Sequence, residues 1–163
     1  MFEFSLLTPY SCVHMEGDMR NGIHWAVYCL LLVAGNAMGY PDKTYGNVSQ
    51  VEVTSIYDGD TFRVNIPGWP PIIGERIPIR LINADTPELR GECEEEIRLA
   101  REAKKVTVAI LRSAESVSLN NIKRDKYFRI DANVIVDGRD LGSYLIANGY
   151  ARPYSGGKRK GWC

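Results

Sequence analysis

Histidine is nearly absent from this chain of 163 residues, which contains only His14 and His24. Both lie within the first 37 residues. A domain formed by the rest of the chain therefore has no Ser-His-Asp triad, no histidine general base and no histidine-ligated zinc ion. If that domain is an enzyme that moves protons, a carboxylate is its natural base.

The chain also lacks an excess of either charge, a dense set of cysteines, internal repeats and low-complexity tracts. Twenty Lys and Arg balance twenty Asp and Glu, and there are four cysteines. With 45% hydrophobic and 25% charged residues, the composition is typical of one globular domain and argues against disorder and disulfide-dense mini-proteins. A net charge of zero also counts against a nucleic-acid partner, provided that the whole chain is the working protein.

The N-terminal segment has the pattern of a secretory leader. Arg20 precedes an apolar run from Gly22 to Gly35, which is shorter than the roughly 20 apolar residues that a membrane span needs. A small-residue cleavage site follows and ends at Ala37. We therefore expect residues 1–37 to be a signal peptide and the protein to be secreted or periplasmic. The alternatives are an uncleaved membrane anchor and a core helix.

Removal of this leader would change the charge of the protein. The signal pattern fits best if translation starts at Met19, so the acidic residues 1–18 are interpreted as an upstream extension. Residues 38–163 then form the domain, with nineteen basic and seventeen acidic side chains and a net charge of +2. We expect it to be a monomer without stable membrane association.

Its two cysteines, Cys93 and Cys163, can form one disulfide in an oxidising compartment or remain free thiols.

Two periodicities predict the first half of the fold. Alternating apolar and polar residues predict a hairpin from Val51 to Ile66 with a turn at Asp58-Gly59, followed by a strand from Ile77 to Ile82. A helical apolar stripe predicts a long helix from Glu94 to about Ala114. The acids at its start are interpreted as favouring the helix dipole: Glu92, Glu94, Glu95 and Glu96.

The second half of the pattern completes a small barrel. Strands are predicted over Glu115–Leu119 and Tyr127–Val136, and Asp140 is expected to cap a short helix from Leu141 to Asn148. Five short strands with a helix between the third and fourth predict an α+β fold. The expected architecture is a five-stranded OB-type barrel with one long and one short helix.

Acids and arginines occur at the ends and within the predicted strands. Asp60 follows the first turn and Asp85 follows the third strand, so strand pairing would bring them together. Carboxylates with a backbone carbonyl form a hard-oxygen site for Ca²⁺ or Mg²⁺. Each acid alone is more often a turn or cap residue. Arg80 and Arg129 are either salt-bridge partners of such carboxylates or oxyanion clamps.

Three segments in order resemble the signature segments of the staphylococcal nuclease (thermonuclease, micrococcal nuclease) family. They are Asp58–Thr61, Ile79–Glu88 and Asp125–Arg129, and the resemblance extends from about Val51 to Pro153. It implies a Ca²⁺-dependent endonuclease and exonuclease. Such an enzyme hydrolyses DNA and RNA with low sequence specificity and leaves 3′-phosphate ends.

The resemblance also implies a metal site. The carboxylates of Asp60 and Asp85 would bind one Ca²⁺ ion, and Thr86 would add its main-chain carbonyl.

The remaining roles that the resemblance implies concern the phosphate and the nucleotide. Arg80 and Arg129 would hold the scissile phosphate and stabilise the transition state, and Glu88 would act as general base. Lys126 and Tyr127 would contact the terminal phosphate and the nucleotide.

The chain departs from the family pattern at two places. Phe128 replaces the usual glycine before Arg129 and could either constrain that loop or offer a stacking ring. A basic tail replaces the long C-terminal helix of the archetype, and a Cys93–Cys163 disulfide would pin it beside the first helix. In this tail Tyr154 and Trp162 lie among basic residues, which is typical of single-strand binding; the alternative is a solvated tail.

A non-catalytic OB-type module that binds nucleic acid is the competing hypothesis. Such a module has no need for the full chemical set of Asp60, Arg80, Asp85, Glu88 and Arg129. Their joint presence favours the enzyme.

Overall fold

The computed structural model describes residues 43–125 and 127–163. The predicted leader, residues 1–37, and Lys126 lie outside the described residues. In the described part of the chain, no helix is long and apolar enough to cross a bilayer.

Eight strands and three helices make up the described part of the chain. The strands are β1 (Glu52–Ile56), β2 (Thr61–Asn65), β3 (Ile77–Leu81), β4 (Ala84–Asp85), β5 (Val117–Arg124), β6 (Ile130–Val136), β7 (Arg139–Asp140) and β8 (Arg152–Pro153). The helices are α1 (Pro71–Gly74), α2 (Glu94–Ser113) and α3 (Leu141–Ala147).

The main sheet has the strand order β1-β2-β3-β6-β5, and only the β3–β6 pair is parallel. The chain that enters β1 also pairs with β5, through a bridge between Val48 and Leu119 and a bond from the Val51 amide to the Val117 carbonyl. These contacts curl the sheet into a half-barrel around a core that includes Phe62. The predicted α+β, OB-like fold is confirmed.

The predicted hairpin forms between β1 and β2 and is closed by Asp58. One carboxylate oxygen of Asp58 accepts hydrogen bonds from the amides of Asp60 (3.1 Å) and Thr61 (2.7 Å). Gly59 lies against Thr86 and Ala103, where a Cβ atom would come within 2.8 Å of the Thr86 methyl carbon. The turn therefore needs glycine to fit under its neighbours.

Helix α2 holds this turn in place. The buried residues Ala100, Ala103, Thr107 and Leu111 follow helical spacing and face the barrel. The buried hydroxyl of Thr107 donates a 2.9 Å hydrogen bond to the carbonyl of Gly59. The longest helix is thus fastened to the loop that carries Asp60.

Three elements differ from the predicted ones. Strand β5 continues to Arg124 rather than ending at Leu119, because the Asn120-Asn121 pair forms a bulge, with a positive φ at Asn121, and not a turn. Strand β6 begins at Ile130 rather than Tyr127, since the preceding residues form a turn. Helix α1 is additional to the one long and one short helix that were predicted.

Candidate active site

Two buried acids lie together where the β1–β2 turn meets the end of β3. Asp60 is 2% exposed and Asp85 is 4% exposed. One carboxylate oxygen of Asp60 accepts a 3.2 Å hydrogen bond from the amide of Thr86, and the other accepts a 2.8 Å bond from the hydroxyl of Thr61. The amide of Leu81 donates to the carbonyl of Asp60. Strand pairing therefore brings Asp60, Asp85 and Thr86 together, as the sequence predicts.

Arg80 joins the two acids. Its Nη2 atom lies 3.3 Å from an oxygen of Asp60 and 3.3 Å from an oxygen of Asp85. In β3 its neighbours Ile79 and Leu81 face the core, so strand alternation directs Arg80 to the outer face. The guanidinium of Arg80 contacts both acids, and its side chain is still 15% exposed. It can therefore also donate hydrogen bonds to an anion that approaches from solvent.

A third acid stands behind this pair. Burial and, second to it, the negative charge of the neighbouring Asp60 raise the pKa of Asp58 to about 7, and backbone hydrogen bonds from Asp60 and Thr61 limit the shift. The turn thus places two buried acids, Asp58 and Asp60, side by side. Such a site favours a cation.

The guanidinium of Arg159, from the C-terminal end of the chain, lies among these acids. Its Nη2 donates a 2.8 Å hydrogen bond to the carbonyl oxygen of Thr86. Its other nitrogens contact the carboxylates of Asp85 and Glu88. One guanidinium therefore binds three of the oxygen-bearing groups that the sequence singled out. Sequence reasoning missed this residue, because its only signal was membership of a basic tail.

Arg129 has different partners. Its Nη2 contacts the carboxylate of Asp125, and its Nε lies 3.8 Å from an oxygen of Asp131. Asp131 pairs in register with Arg80 across the parallel β3–β6 ladder. Arg129 therefore lies just before β6, the strand that pairs with the strand of Arg80.

The pKa of Asp131 is affected by several neighbouring charged groups. Burial raises its pKa, the charges of Asp125 and, more weakly, Asp60 raise it too, and Arg129 and Arg80 lower it. Within the described residues, the facing atoms Arg129 Nε and Asp131 Oδ1 are buried without a hydrogen-bond partner. The Arg129 guanidinium therefore retains donor capacity.

Comparison with protein-family models matches residues 78–160 to the family described as Staphylococcal nuclease homologue. The chain belongs to this nuclease family. The match spans half of the chain and includes Arg80, Asp85, Thr86, Glu88 and Arg129. A search of curated proteins found no match.

The structure adds the hairpin that carries Asp60 to the matched segment. Asp60 precedes the matched residues but contacts Thr86 and Arg80 within them. The staphylococcal nuclease fold therefore extends upstream of the match. Membership of a nuclease family implies a nucleic-acid substrate.

Glu96 organises the loop that carries Glu88. It is 6% exposed, and its carboxylate oxygens accept hydrogen bonds from the amides of Glu88 (3.3 Å) and Glu92 (2.9 Å). The helix dipole, which was expected to explain most of this acidic run, does not account for the side-chain contacts of Glu96. Its position at the first turn of α2 gave no signal that its side chain would fold back and be buried.

The C-terminal segment, residues 154–163, is fixed at several points. A disulfide joins Cys93 to Cys163, with Cα atoms 6.0 Å apart. The guanidinium of Arg152 lies 3.7 Å from the ring centroid of Trp162 and donates to the carbonyl of Gly161. The hydroxyl of Tyr154 donates a 2.9 Å bond to Gly157. The segment is therefore held against the domain, and Tyr154 and Trp162 take part in holding it.

The last predicted substrate contacts lie at the β5–β6 turn. Tyr127 is 62% exposed, with the Arg129 guanidinium carbon 5.8 Å from its ring centroid. Lys126 lies outside the described residues. The role of Tyr127 in binding nucleotide stays a prediction.

The donor set suits a hard cation. The described residues contain no group of three or more His, Cys, Asp and Glu side chains placed to hold a metal ion. The fit depends instead on the carboxylates of Asp60 and Asp85 together with the Thr86 carbonyl, which is the chemistry that Ca²⁺ prefers. The guanidinium of Arg159 on two of these three groups is a stand-in that shows where positive charge is stabilised.

Proposed function

We propose that this protein is a Ca²⁺-dependent nuclease that hydrolyses phosphodiester bonds in DNA and RNA. The observation that carries this proposal is the contact of Arg80 with both buried acids, Asp60 and Asp85, beside the Thr86 carbonyl. The site combines anionic oxygens for a cation with a guanidinium for a phosphate. Cleavage in both endonucleolytic and exonucleolytic mode, with 3′-phosphate products and low sequence specificity, is part of the proposal.

Asp60, Asp85 and the carbonyl of Thr86 would hold one Ca²⁺ ion. When bound there, the ion supplies charge neutralisation of the phosphate and a site for water. Arg159 must give up its contacts with Asp85 and Thr86 for the ion to bind, because they use the same oxygens.

Arg80 and Arg129 would clamp the scissile phosphate. Guanidinium groups donate paired hydrogen bonds that match phosphate oxygens, which lysine cannot do. Arg129 has donor capacity that its present partners do not use. The charge that develops on the phosphate in the transition state would be stabilised by these two residues.

Glu88 would accept a proton from the attacking water. It lies in the loop between β4 and α2 and is positioned by the bond from its amide to Glu96. Release of its carboxylate from Arg159 would free it for this role. Lys126, Tyr127 and Tyr154 are proposed to contact the nucleotide.

The protein would act outside the cytoplasm as a monomer, after loss of residues 1–37. The disulfide between Cys93 and Cys163 supports an oxidising compartment. N-terminal sequencing of the exported protein tests this proposal, and a mature chain that retains Trp25 would contradict it.

A degradation assay tests the activity. Plasmid DNA and a labelled RNA are incubated with the wild type and Arg80→Ala, with Ca²⁺ or with EGTA. Loss of Arg80 is expected to lower the rate by about 10²–10³. Arg98→Ala is the matched control, because Arg98 lies 53% exposed in ion pairs on α2. Activity that persists in EGTA would contradict the calcium mechanism, and product ends that a phosphatase leaves unchanged would contradict 3′-phosphate formation.

The competing function is nucleic-acid binding without catalysis on the same barrel. Glu88→Gln separates the two, because it is expected to lower turnover much more than binding. Wild-type binding without cleavage under any metal condition would favour the binding module.

A further inference from the structure

A recess opens beside Arg129, and none of the acids of the candidate active site lines it. It is a cavity of about 260 Å³. We call it the aromatic groove. Three rings and three cations, together with isoleucines, form its walls; the rings and cations are Tyr45, Trp69, Phe128, Lys123, Arg124 and Arg129.

The rings of this groove are unusually exposed. Tyr45 is 58% exposed, Trp69 is 37% exposed and Phe128 is 61% exposed. Each comes from a different segment: the chain before β1, the β2–β3 connection and the β5–β6 turn. Single exposed rings are ordinary, but three that converge on one recess indicate a binding surface.

The charge of the groove restricts what can occupy it. Lys123, Arg124 and Arg129 line it, and none of the described lining residues is acidic. A second lysine, Lys43, lies 5.1 Å from the ring centroid of Tyr45. Rings that offer flat apolar faces beside several cations match a single-stranded polynucleotide, whose bases stack while its phosphates bind the cations.

The groove shares one residue with the candidate active site. Arg129 belongs to both, as the proposed phosphate clamp and as part of the groove wall. Ile130, also in the wall, pairs with Ile79, the residue that precedes Arg80. A strand whose phosphate lies between Arg80 and Arg129 would therefore bring a neighbouring nucleotide to the groove.

We propose that the aromatic groove is a nucleobase-stacking subsite for a single-stranded part of the substrate, with Phe128 and Trp69 as its stacking rings. Its position next to the cleaved bond rests on the proposed nuclease function. The sequence left two roles open for Phe128, a constraint on the Arg129 loop or a stacking ring. Its exposure and its place in the wall support the second.

Binding of two oligonucleotides tests the proposal. A fluorescent single-stranded 12-mer and an abasic strand of the same length are titrated in EGTA against the exported protein. We expect Phe128→Gly and Trp69→Ala each to weaken binding of the base-containing strand about 5- to 150-fold, the range for loss of one stacked base. Binding of the abasic strand should change less than about twofold.

Two control variants test whether the loss of any exposed apolar side chain weakens binding. Ile72→Ala removes an 83% exposed side chain from α1 outside the groove, and Tyr144→Ala removes a 42% exposed ring from α3. Neither should change binding of either strand. Phe128→Leu keeps an apolar side chain without a ring, so it should weaken binding as Phe128→Gly does while leaving the melting temperature unchanged.

The outcomes separate this proposal from the proposed function. If groove variants and controls bind the base-containing strand alike, the groove is not a base subsite, even if the wild type cleaves DNA. If both strands lose affinity equally, stacking is refuted. If the wild type binds with the expected ring dependence but cleaves nothing, the subsite stands and the nuclease function fails.

Discussion

At the scale of single residues, the site depends on acids whose side chains serve different purposes. Asp60 and Asp85 could be predicted, because a hairpin turn and the end of a paired strand must meet. Glu96 could not, because a glutamate at the first turn of a helix is ordinary in sequence, and only the folded loop shows that its oxygens hold the amides of Glu88 and Glu92. Its burial depends on how the loop before α2 folds back over the helix start, which the helical pattern does not encode.

Replacement of Glu96 by alanine should therefore disorder the loop that positions Glu88. Two amides would lose their acceptor, which we expect to lower the free energy of unfolding by about 2–3 kcal/mol. Turnover should fall more than substrate affinity. Urea denaturation and steady-state kinetics measure the two effects. Glu95→Ala is the control, since Glu95 is 57% exposed one position earlier in α2; equal effects of the two variants would contradict a positioning role.

Asp131 gives a pH-dependent prediction. Its pKa is raised in the folded protein by burial and by neighbouring acids, so the unfolded chain ionises first as the pH rises and the folded state loses stability above the ordinary carboxyl pKa. Asp131→Asn should therefore melt a few degrees higher than the wild type at pH 7. Thermal melts from pH 3 to pH 8 check this. The difference should vanish towards pH 3, and a variant that melts lower at pH 7 would contradict it.

At the scale of elements, regular periodicity predicted the hairpin, β3, the long helix and the short helix. The short strands β4 and β8 and the C-terminal segment could not be predicted, for physical reasons. The two-residue strands β4 and β8 pair only with each other, so they exist through tertiary contact rather than through propensity. The C-terminal segment has neither a 2-residue nor a 3.6-residue period, and its conformation is set by the disulfide and by contacts of Arg152 and Arg159.

The C-terminal segment should act on cation affinity through Arg159. Its guanidinium contacts Asp85 and the carbonyl of Thr86, so a cation must displace it, and two like charges at such distances repel strongly. Arg159→Gln should therefore tighten Ca²⁺ binding about tenfold or more in calorimetric titration. Lys158→Gln removes the same charge from an exposed neighbour and should change affinity less than about twofold. Weaker binding by Arg159→Gln would mean that Arg159 supports the site instead.

At the scale of the whole molecule, the neutral composition is an average over unlike parts. Residues 1–37 contain three acids and one base, whereas residues 38–163 contain nineteen bases and seventeen acids, and three of these bases line the aromatic groove. The neutral total therefore does not argue against a nucleic-acid partner. It does suggest modest, strongly salt-dependent affinity, which suits the proposed nuclease because it must release its products.

The disulfide connects the stability of the whole domain to the state of the site. It joins residues 70 positions apart, and closure of a loop of that length is worth about 4 kcal/mol in the chain-entropy model. Cys163→Ser should lower the free energy of unfolding by an amount of that order. It should also tighten Ca²⁺ binding, because an untethered segment presents Arg159 to the acids less often.

A double-mutant cycle separates the effect on stability from the effect on Ca²⁺ affinity. In the Arg159→Gln background, Cys163→Ser should still reduce stability but should no longer change Ca²⁺ affinity. If it tightens Ca²⁺ binding equally in both backgrounds, the disulfide acts on the site by a route that does not involve Arg159.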